Sequence, residues 1–458
     1  MSVGLDALTR ALAPSFGDRW IASESQRMQY MISEGHHAAV MPELVVRPES
    51  VEEVQRLVVA AAQAGVPIVP IGVGTSLEGS ASAVPDGISV DLSGMDRILE
   101  VVPEDLLCVL QPGVTREALN MDLRATGLFF PIDPGANATI GGMISTRASG
   151  TNALRYGTMR ENVLALKVVT PDGALIRTGT RARKSAAGYD LTHLFTGSEG
   201  TLGLVVEATV RLHGIPETTL AGSWPFETLT DAVDTVIATI QCGVPVARME
   251  LLDEAAIRAC NTYAGLDLPV RPTLFVELHG THAGVQEHCR ILSDIGRGHG
   301  GGELVLGSSP DEQRRLWRAR HAALPAARAL VQGAMVWSTD ICVPISKLAT
   351  AIGLAHAAIE EAGLVAPILG HVGDGNYHVF FVLRPDDADG WRKAHAVNES
   401  MIDYALSVGG TCTGEHGVGV GKREALMLEH GTAAVALMRT LKRAVDPMTI
   451  MNPGKIFV

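Results

Sequence analysis

Two histidines, His371 and His378, bracket the segment HVGDGNYH, and a later run, GTCTGEHGVGVGK, adds Glu415 and His416. Imidazoles and carboxylates are the side chains that ligate divalent cations and shuttle protons near neutral pH. On a straight strand, residues seven apart lie roughly 23 Å from each other and point to opposite faces, so the two histidines could not share an ion. Asp374-Gly375 changes that geometry, because Asp-Gly is a strong signal for a two-residue hairpin loop. Such a loop pairs 373 with 376, 372 with 377 and 371 with 378. Cross-strand neighbours have Cβ atoms about 4.5–5.5 Å apart, close enough for two rings to converge on one ion. A packed or solvent-exposed pair is the plainer alternative, and Glu415, between Gly414 and His416, could simply accept backbone hydrogen bonds.

The frame that must carry these residues is large. A chain of 458 residues exceeds one ordinary hydrophobic core, which predicts two domains. With 47% hydrophobic residues, 19% charged residues and a mean hydropathy of +0.20, it reads as a well-buried globular protein. A net charge of −13 disfavours nucleic acid as the main partner. The six cysteines contain no CxxC pair, so neither a thiolate zinc site nor a cysteine-ligated cluster is legible. The N-terminal residues lack a signal pattern and no stretch approaches 18 apolar residues, which predicts a chain that is not transmembrane and is cytoplasmic. An association peripheral to the inner membrane stays open.

Ser50-Val51-Glu52-Glu53 reads as a capping box, followed by an apolar stripe over Val51, Val54, Leu57, Val58, Ala61 and Ala62 that stops at Gly65. Strand patterns follow in VPIVPIG, DGISVDLSGMDRILEV, LALKVVTPDG and TLGLVVEATVRL, with a helix predicted from Thr115 to Gly127. After IPE, helical and strand patterns alternate with fewer glycines, which places a second domain from 218. Glycines 298, 300, 301 and 302 read as a flexible connection. Helices are expected at 346–362, 391–408 and, as one long rod, 421–444, with MNPGKIF as an ordered tail. The fold class is α+β.

Three glycine- and hydroxyl-rich runs lie in the first half: PIGVGTSLEGS, DPGANATIGGMISTRASGTNALRYG and FTGSEGTLGLV. Glycine loses much entropy on folding, so three such runs in one domain point to close backbone approach by a ligand. Leu77 stands where a dinucleotide GxGxxG would need glycine, and no GxxxxGK[ST] is present, so a Rossmann NAD site and a P-loop are both disfavoured.

Together with HVGDGNYH, GTCTGEHGVGVGK and MNPGKIF, these runs, in this order, resemble the FAD-linked D-2-hydroxy-acid dehydrogenases of the vanillyl-alcohol-oxidase (PCMH) type, and the similarity covers nearly the whole chain. LWRARHAALPAAR and WSTDICVPISKL look most like the cytochrome-type D-lactate dehydrogenase group. The resemblance implies a two-subdomain FAD-binding domain at 1–217, an inserted ferredoxin-like α+β cap at 218–412 and a C-terminal segment, 413–458, returning to the FAD domain. It implies FAD cradled by Pro70, Gly72, Val73, Gly74, Thr75, Ser76, Glu78 and Gly79. Pro134, Gly135, Thr139, Gly141, Gly142, Ser145, Ser149, Asn152 and Tyr156 would line it further, and Val205 and Asn452 would complete the site. No histidine lies in 70–80, so the flavin is expected to be non-covalent.

By the same resemblance His371, His378 and Glu415 are the ligands of a divalent metal, zinc first and manganese or iron as alternatives, with positions open for a chelating hydroxy acid. His416 is the expected general base, and Arg320 grips the substrate carboxylate, with Arg318 as the fallback. The other expected partners are a small 2-hydroxy acid and an electron acceptor, either cytochrome, quinone or electron-transfer flavoprotein; a homodimer is compatible. Relatives that act on hydroxyglutarate carry a lysine where Ser338 stands, which turns the expectation towards D-lactate and away from D-2-hydroxyglutarate. Glycolate is a further substrate reading, and a flavin-free zinc hydrolase or a non-catalytic flavin module are the readings of other classes.

Overall fold

The computed structural model describes residues 2–31 and 34–457, which divide into two compact units. One comprises the chain up to 149, 157–215 and the chain from 415 onward; the other comprises 150–156 and 216–414. Packing thus changes after Ile215 and Gly414, and it carries 150–156 into the second unit, a separation for which the composition of that glycine run gives no signal.

In the first unit, β1 (Trp20–Ile21), β2 (Leu44–Val46), β3 (Ile68–Ile71) and β4 (Ile88–Asp91) form a sheet in the order β1-β2-β4-β3. A second, antiparallel sheet runs β5 (Ile98–Val102), β6 (Leu107–Leu110), β10 (Leu204–Arg211), β8 (Val163–Val169), β9 (Leu175–Gly179), while β7 (Leu128–Phe129) pairs with β11 (His213–Gly214). The stripe of the helix Val51–Ala64 buries Val54, Leu57, Val58 and Ala61 in one core with Leu44, Val46, Ile68 and Ile88. Ser50 caps this helix by accepting from the Glu53 N–H, and Gly65 ends it at φ 64°. The capping box is only half made: the Glu53 carboxylate is taken by Arg19, at 2.5 and 2.7 Å, and by the Glu49 N–H. A charged, two-pronged partner outcompetes one backbone donor.

The expected helix after Thr115 covers Arg116–Asp122 and tightens into a 3-10 turn before Gly127. The expected rod at 421–444 is not continuous. Residues 423–445 break at Gly431, whose backbone (φ 72°, ψ 168°) is non-helical. The tail is ordered because its backbone joins the first sheet: Ile68 N–H donates to Ile450 C=O and Asn452 N–H to Ile68 C=O, both at 2.7 Å.

The second unit is built on an antiparallel sheet of β12 (Thr218–Pro225), β13 (Val246–Leu252), β14 (Thr273–Gly280), β15 (Val305–Leu306), β16 (Met335–Ser338), β17 (Ile341–Cys342), β18 (Ile368–Gly370) and β19 (Asn376–Leu383). Its order is β15-β12-β14-β13-β18-β19-β16, with β17 paired to β19. Helices Leu229–Gln241, Glu254–Ala264, His282–Gly298, Leu348–Ala362 and Ala388–Ser407 alternate with these strands, giving an α+β unit. The glycines near 300 are not a slack connection. A side chain at Gly296 would run into the Trp224 ring, Trp224 Nε1 donates to Gly302 C=O at 2.9 Å, and Gly301 bridges to Phe226. Gly296, Gly301 and Gly302 thus let the chain close over a fully buried tryptophan.

Asp253, buried beside β18, caps the helix Glu254–Ala264 by accepting from the Ala256 N–H at 2.7 Å. Burial pushes its carboxyl from 3.8 up to about 7, against the lowering pull of the backbone donors. The folded chain therefore holds a proton that the unfolded chain releases, and stability from this group falls as pH rises from about 4 through 7. Asp253→Asn, neutral at every pH and still a good cap, should melt above the unsubstituted protein at pH 8 and level with it at pH 4. Identical melting profiles against pH for the two proteins would exclude a buried neutral Asp253.

Candidate functional site

The hairpin that carries the histidine pair exists, but not as a two-residue loop. His378 pairs with Leu369 rather than with His371, and Val372–Asp374 form a 3-10 turn closed by Gly375 at φ 79°. A type I′ turn needs positive φ at both central residues, whereas here only the glycine adopts it. The wider turn lets Val372 become fully buried and brings Gly375 against Val343, whose C=O a side chain there would strike. His371 leaves the ladder at the start of this turn and still meets His378, with ring centroids 5.3 Å apart and planes at 85°. The expected convergence is thus reached by a different backbone route.

Both rings are oriented through Nδ1. His371 Nδ1 lies 2.6 Å from Glu250 Oε1, and His378 Nδ1 lies 2.8 Å from Thr339 C=O. With an acceptor at each Nδ1, the tautomer that satisfies the network carries its proton there and leaves Nε2 with a lone pair. This is the pattern by which a protein presents imidazoles to a metal. Sequence reasoning missed Glu250 and Thr339, since neither lies near the histidines in the chain and strand alternation alone marks both as ordinary β positions.

Glu250 is 1% exposed and its other oxygen takes Arg320, through Nε at 2.9 Å and Nη2 at 2.6 Å. Burial works against its charge, but His371 and Arg320 outweigh burial and hold its carboxyl below the ordinary range. Arg320 is buried while Arg318 is exposed, so only Arg320 belongs to this cluster. Part of the guanidinium assigned to a substrate carboxylate is therefore already spent on Glu250, leaving Nη1 outside that pair. Behind His378, the fully buried Asp340 accepts from Asn376 Nδ2 and Thr413 Oγ1, each at 2.8 Å. Those contacts fix the chain up to Gly414, one peptide bond before Glu415.

Asn152 and Tyr156 lie in this same unit. Asn152 Oδ1 accepts from Arg248 Nε at 2.9 Å, and the Tyr156 hydroxyl lies 2.8 Å from His279 Nδ1, whose Nε2 meets Glu277 at 2.6 Å. His279 is buried in this polar network.

In the first unit the glycine runs make a tight cradle. A side chain at Gly72 would strike Thr139 Oγ1, one at Gly200 would strike the Pro70 ring, and one at Gly141 would lie 3.0 Å from the Pro112 C=O. Thr139 caps the short helix Ile140–Thr146 by accepting from Gly142 N–H, and Ser145 Oγ donates back to Gly141 C=O. Gly74 and Gly79 take positive φ, Ser76 and Ser80 share a 2.6 Å hydrogen bond, Val73 and Gly135 are exposed, and Pro134 and Thr75 are half-buried. Ser149 and Val205 are buried. Asn452 donates through Nδ2 to Ser80 and Glu199 C=O, but its buried Oδ1 meets no donor among the described residues. A buried amide oxygen left unpaired is costly unless a ligand supplies the donor, so these residues fit a flavin nucleotide. Glu78 has its side chain engaged within the protein. Its carboxylate, 2% exposed, faces Lys422 at 3.1 Å and His37 at 3.3 Å. Burial opposes its charge, yet Lys422, His37 and His416 lower it to about 2. Glu415 and His416 also belong to this unit, and His416 Nε2 lies 4.0 Å from Glu415 Oε1.

Residues 42–179 match the family described as FAD binding domain, and 215–456 match FAD linked oxidases, C-terminal domain. The chain is 45% identical to a probable mitochondrial D-lactate dehydrogenase of Danio rerio, over 96% of this chain and 89% of that protein. It is 44% identical to the mitochondrial D-lactate dehydrogenase (cytochrome) of Arabidopsis thaliana, over 92% and 74%, and 33% identical to a glycolate oxidase subunit of Bacillus subtilis, over 95% and 93%. Among solved structures, p-cresol methylhydroxylase superposes with a TM-score of 0.80 at 18% identity, covering 100% of this chain and 98% of that one, which shows the PCMH-type fold. The chain belongs to the FAD-linked oxidase family that includes the cytochrome-type D-lactate dehydrogenases.

Proposed function

We propose that this protein oxidises a D-2-hydroxy acid, D-lactate foremost, to the 2-oxo acid, using non-covalent FAD and a divalent cation. The observation that carries this reading is the pair of neighbouring imidazoles, each oriented through Nδ1, in a chain that also holds an FAD-binding domain. Bound FAD supplies the hydride acceptor. A cation held by His371, His378 and Glu415, zinc before manganese or iron, would supply Lewis acidity at the substrate hydroxyl. Thr413, two residues before Glu415, is tied to Asp340 through its hydroxyl. His416 takes the hydroxyl proton, and Arg320, oriented by Glu250, turns its remaining N–H groups to the substrate carboxylate.

Relatives named for D-lactate and a cytochrome support that substrate and an acceptor of cytochrome type, with quinone or electron-transfer flavoprotein as alternatives. Those relatives are mitochondrial, so they lend nothing to a cytoplasmic location; among the described residues no helix is long and apolar enough to cross a membrane. Anaerobic mixing tests the reading. D-lactate should bleach the flavin absorbance near 450 nm while L-lactate leaves it unchanged, and D-2-hydroxyglutarate or glycolate should show a lower specificity constant. A flavin bleached equally by both lactates would remove the stereochemical claim, and faster reduction by the dicarboxylate would replace the substrate.

A further inference from the structure

The third glycine run, FTGSEGTLGLV, contains a glutamate, Glu199, outside the residues assigned above to the flavin. Glu199 is 3% exposed and sits at φ 50°, a left-handed conformation that disfavours a side chain. Its backbone is pinned on both sides: its N–H donates to Ser145 C=O at 2.9 Å and its C=O accepts from Asn452 Nδ2 at 2.7 Å. Strain of this kind persists where the surroundings over-determine it, and it commonly marks function. The carboxylate so aimed meets the loop that carries His416. Oε1 accepts from Val418 N–H at 2.7 Å, and Gly419 N–H reaches Oε2 at 2.9 Å and Oε1 at 3.2 Å.

The same loop is held from a second carboxyl-bearing residue. Val420 N–H donates to Glu78 C=O at 2.8 Å, and Lys422 pairs with the Glu78 side chain. Gly417 and Gly419 both take positive φ; a side chain at Gly417 would come within 2.9 Å of Glu199 Oε1, and one at Gly419 would strike Glu78 C=O. The backbone beyond His416 therefore has one seat, shaped chiefly by Glu199. Burial pushes the Glu199 carboxyl up to about 7 in spite of its two backbone donors, so the geometry and not its charge carries the contact. Such a group would be an expensive way merely to fill space.

We propose that Glu199 is a positioning residue for the proton acceptor: by binding the Val418 and Gly419 N–H groups with both oxygens it fixes where the His416 imidazole stands. This rests on the reading of His416 as base. The test is a double-mutant cycle on the flavin-loaded protein, with Glu199→Gln and His416→Ala alone and together, read as the rate of flavin reduction by D-lactate. A misplacement of about 1 Å can cost on the order of 10²-fold in rate, so Glu199→Gln should slow reduction by about that factor with the D-lactate KM little changed. The double variant should be no slower than His416→Ala, because residues acting through one step do not add. Glu199→Gly, which suits the left-handed backbone, replaces the glutamine variant if that one loses flavin. Additive losses, or near-normal reduction in Glu199→Gln beside a slow His416→Ala, overturn the positioning role alone. Near-normal reduction in His416→Ala overturns the base reading on which it rests.

Discussion

His416→Ala should slow reduction of the flavin by D-lactate by about 10²- to 10⁴-fold, the usual worth of a positioned general base. The loss should appear in kcat rather than KM, since the imidazole is asked to act on the hydroxyl proton and not to hold the acid. Flavin content should stay the same, because the loop's hydrogen bonds run from the Val418 and Gly419 N–H groups to Glu199 and from the Val420 N–H to the Glu78 C=O, all through backbone beyond His416. Deuteration at C2 of the substrate separates this from a slow product step. In the variant, hydride transfer should be rate-limiting and the isotope effect on flavin reduction fully expressed. A variant that keeps a fast, isotope-insensitive reduction would falsify the assignment of His416.

Removal of the cation should have an effect of similar size, and the second unit shows how to weaken it by degrees. His378→Ala deletes a ligand and should abolish both tight binding of the metal and D-lactate oxidation. Glu250→Gln keeps both ligands but offers His371 Nδ1 and Arg320 one oxygen and an amide where two oxygens stood. Outer-shell changes of this kind typically weaken metal binding by about 10- to 100-fold. The glutamine variant should therefore be slow at trace zinc and recover as zinc is added, whereas His378→Ala should not recover. Full truncation at Glu250 is a poorer probe, because it would leave Arg320 buried without its partner, a defect worth about 3–5 kcal/mol of stability. If exhaustive chelation leaves flavin reduction by D-lactate at its original rate, the histidine pair has a structural task and the proposed Lewis acid is wrong.

The local signals in the chain were strong where the physics is local. Ser50 and Gly65 bound the helix between them because a cap hydroxyl and a left-handed glycine act within one turn. The glycines at 72, 141 and 200 announced close approach because no other residue tolerates it. Asp374-Gly375 announced a reversal, and the reversal is there, yet the register moved because burial of Val372 and contact with Val343 outweighed the preferred two-residue geometry. Glu53 left its capping box for Arg19, and Gly431 broke a pattern that periodicity alone continues. In both cases a tertiary partner or a single backbone angle decided what a window of neighbours could not.

By itself the sequence determined the residue types able to do this chemistry, the order of the motifs and hence the family. Tertiary structure alone decided how those residues are aimed. Glu250 stands 121 positions from His371 and Glu199 stands 219 from Val418, and both act through one buried carboxylate on a distant partner. No spacing rule reaches across such separations, since a strand alternation marks only a face, while the hydrogen bond that orients an imidazole or seats a loop exists only once the sheets have packed.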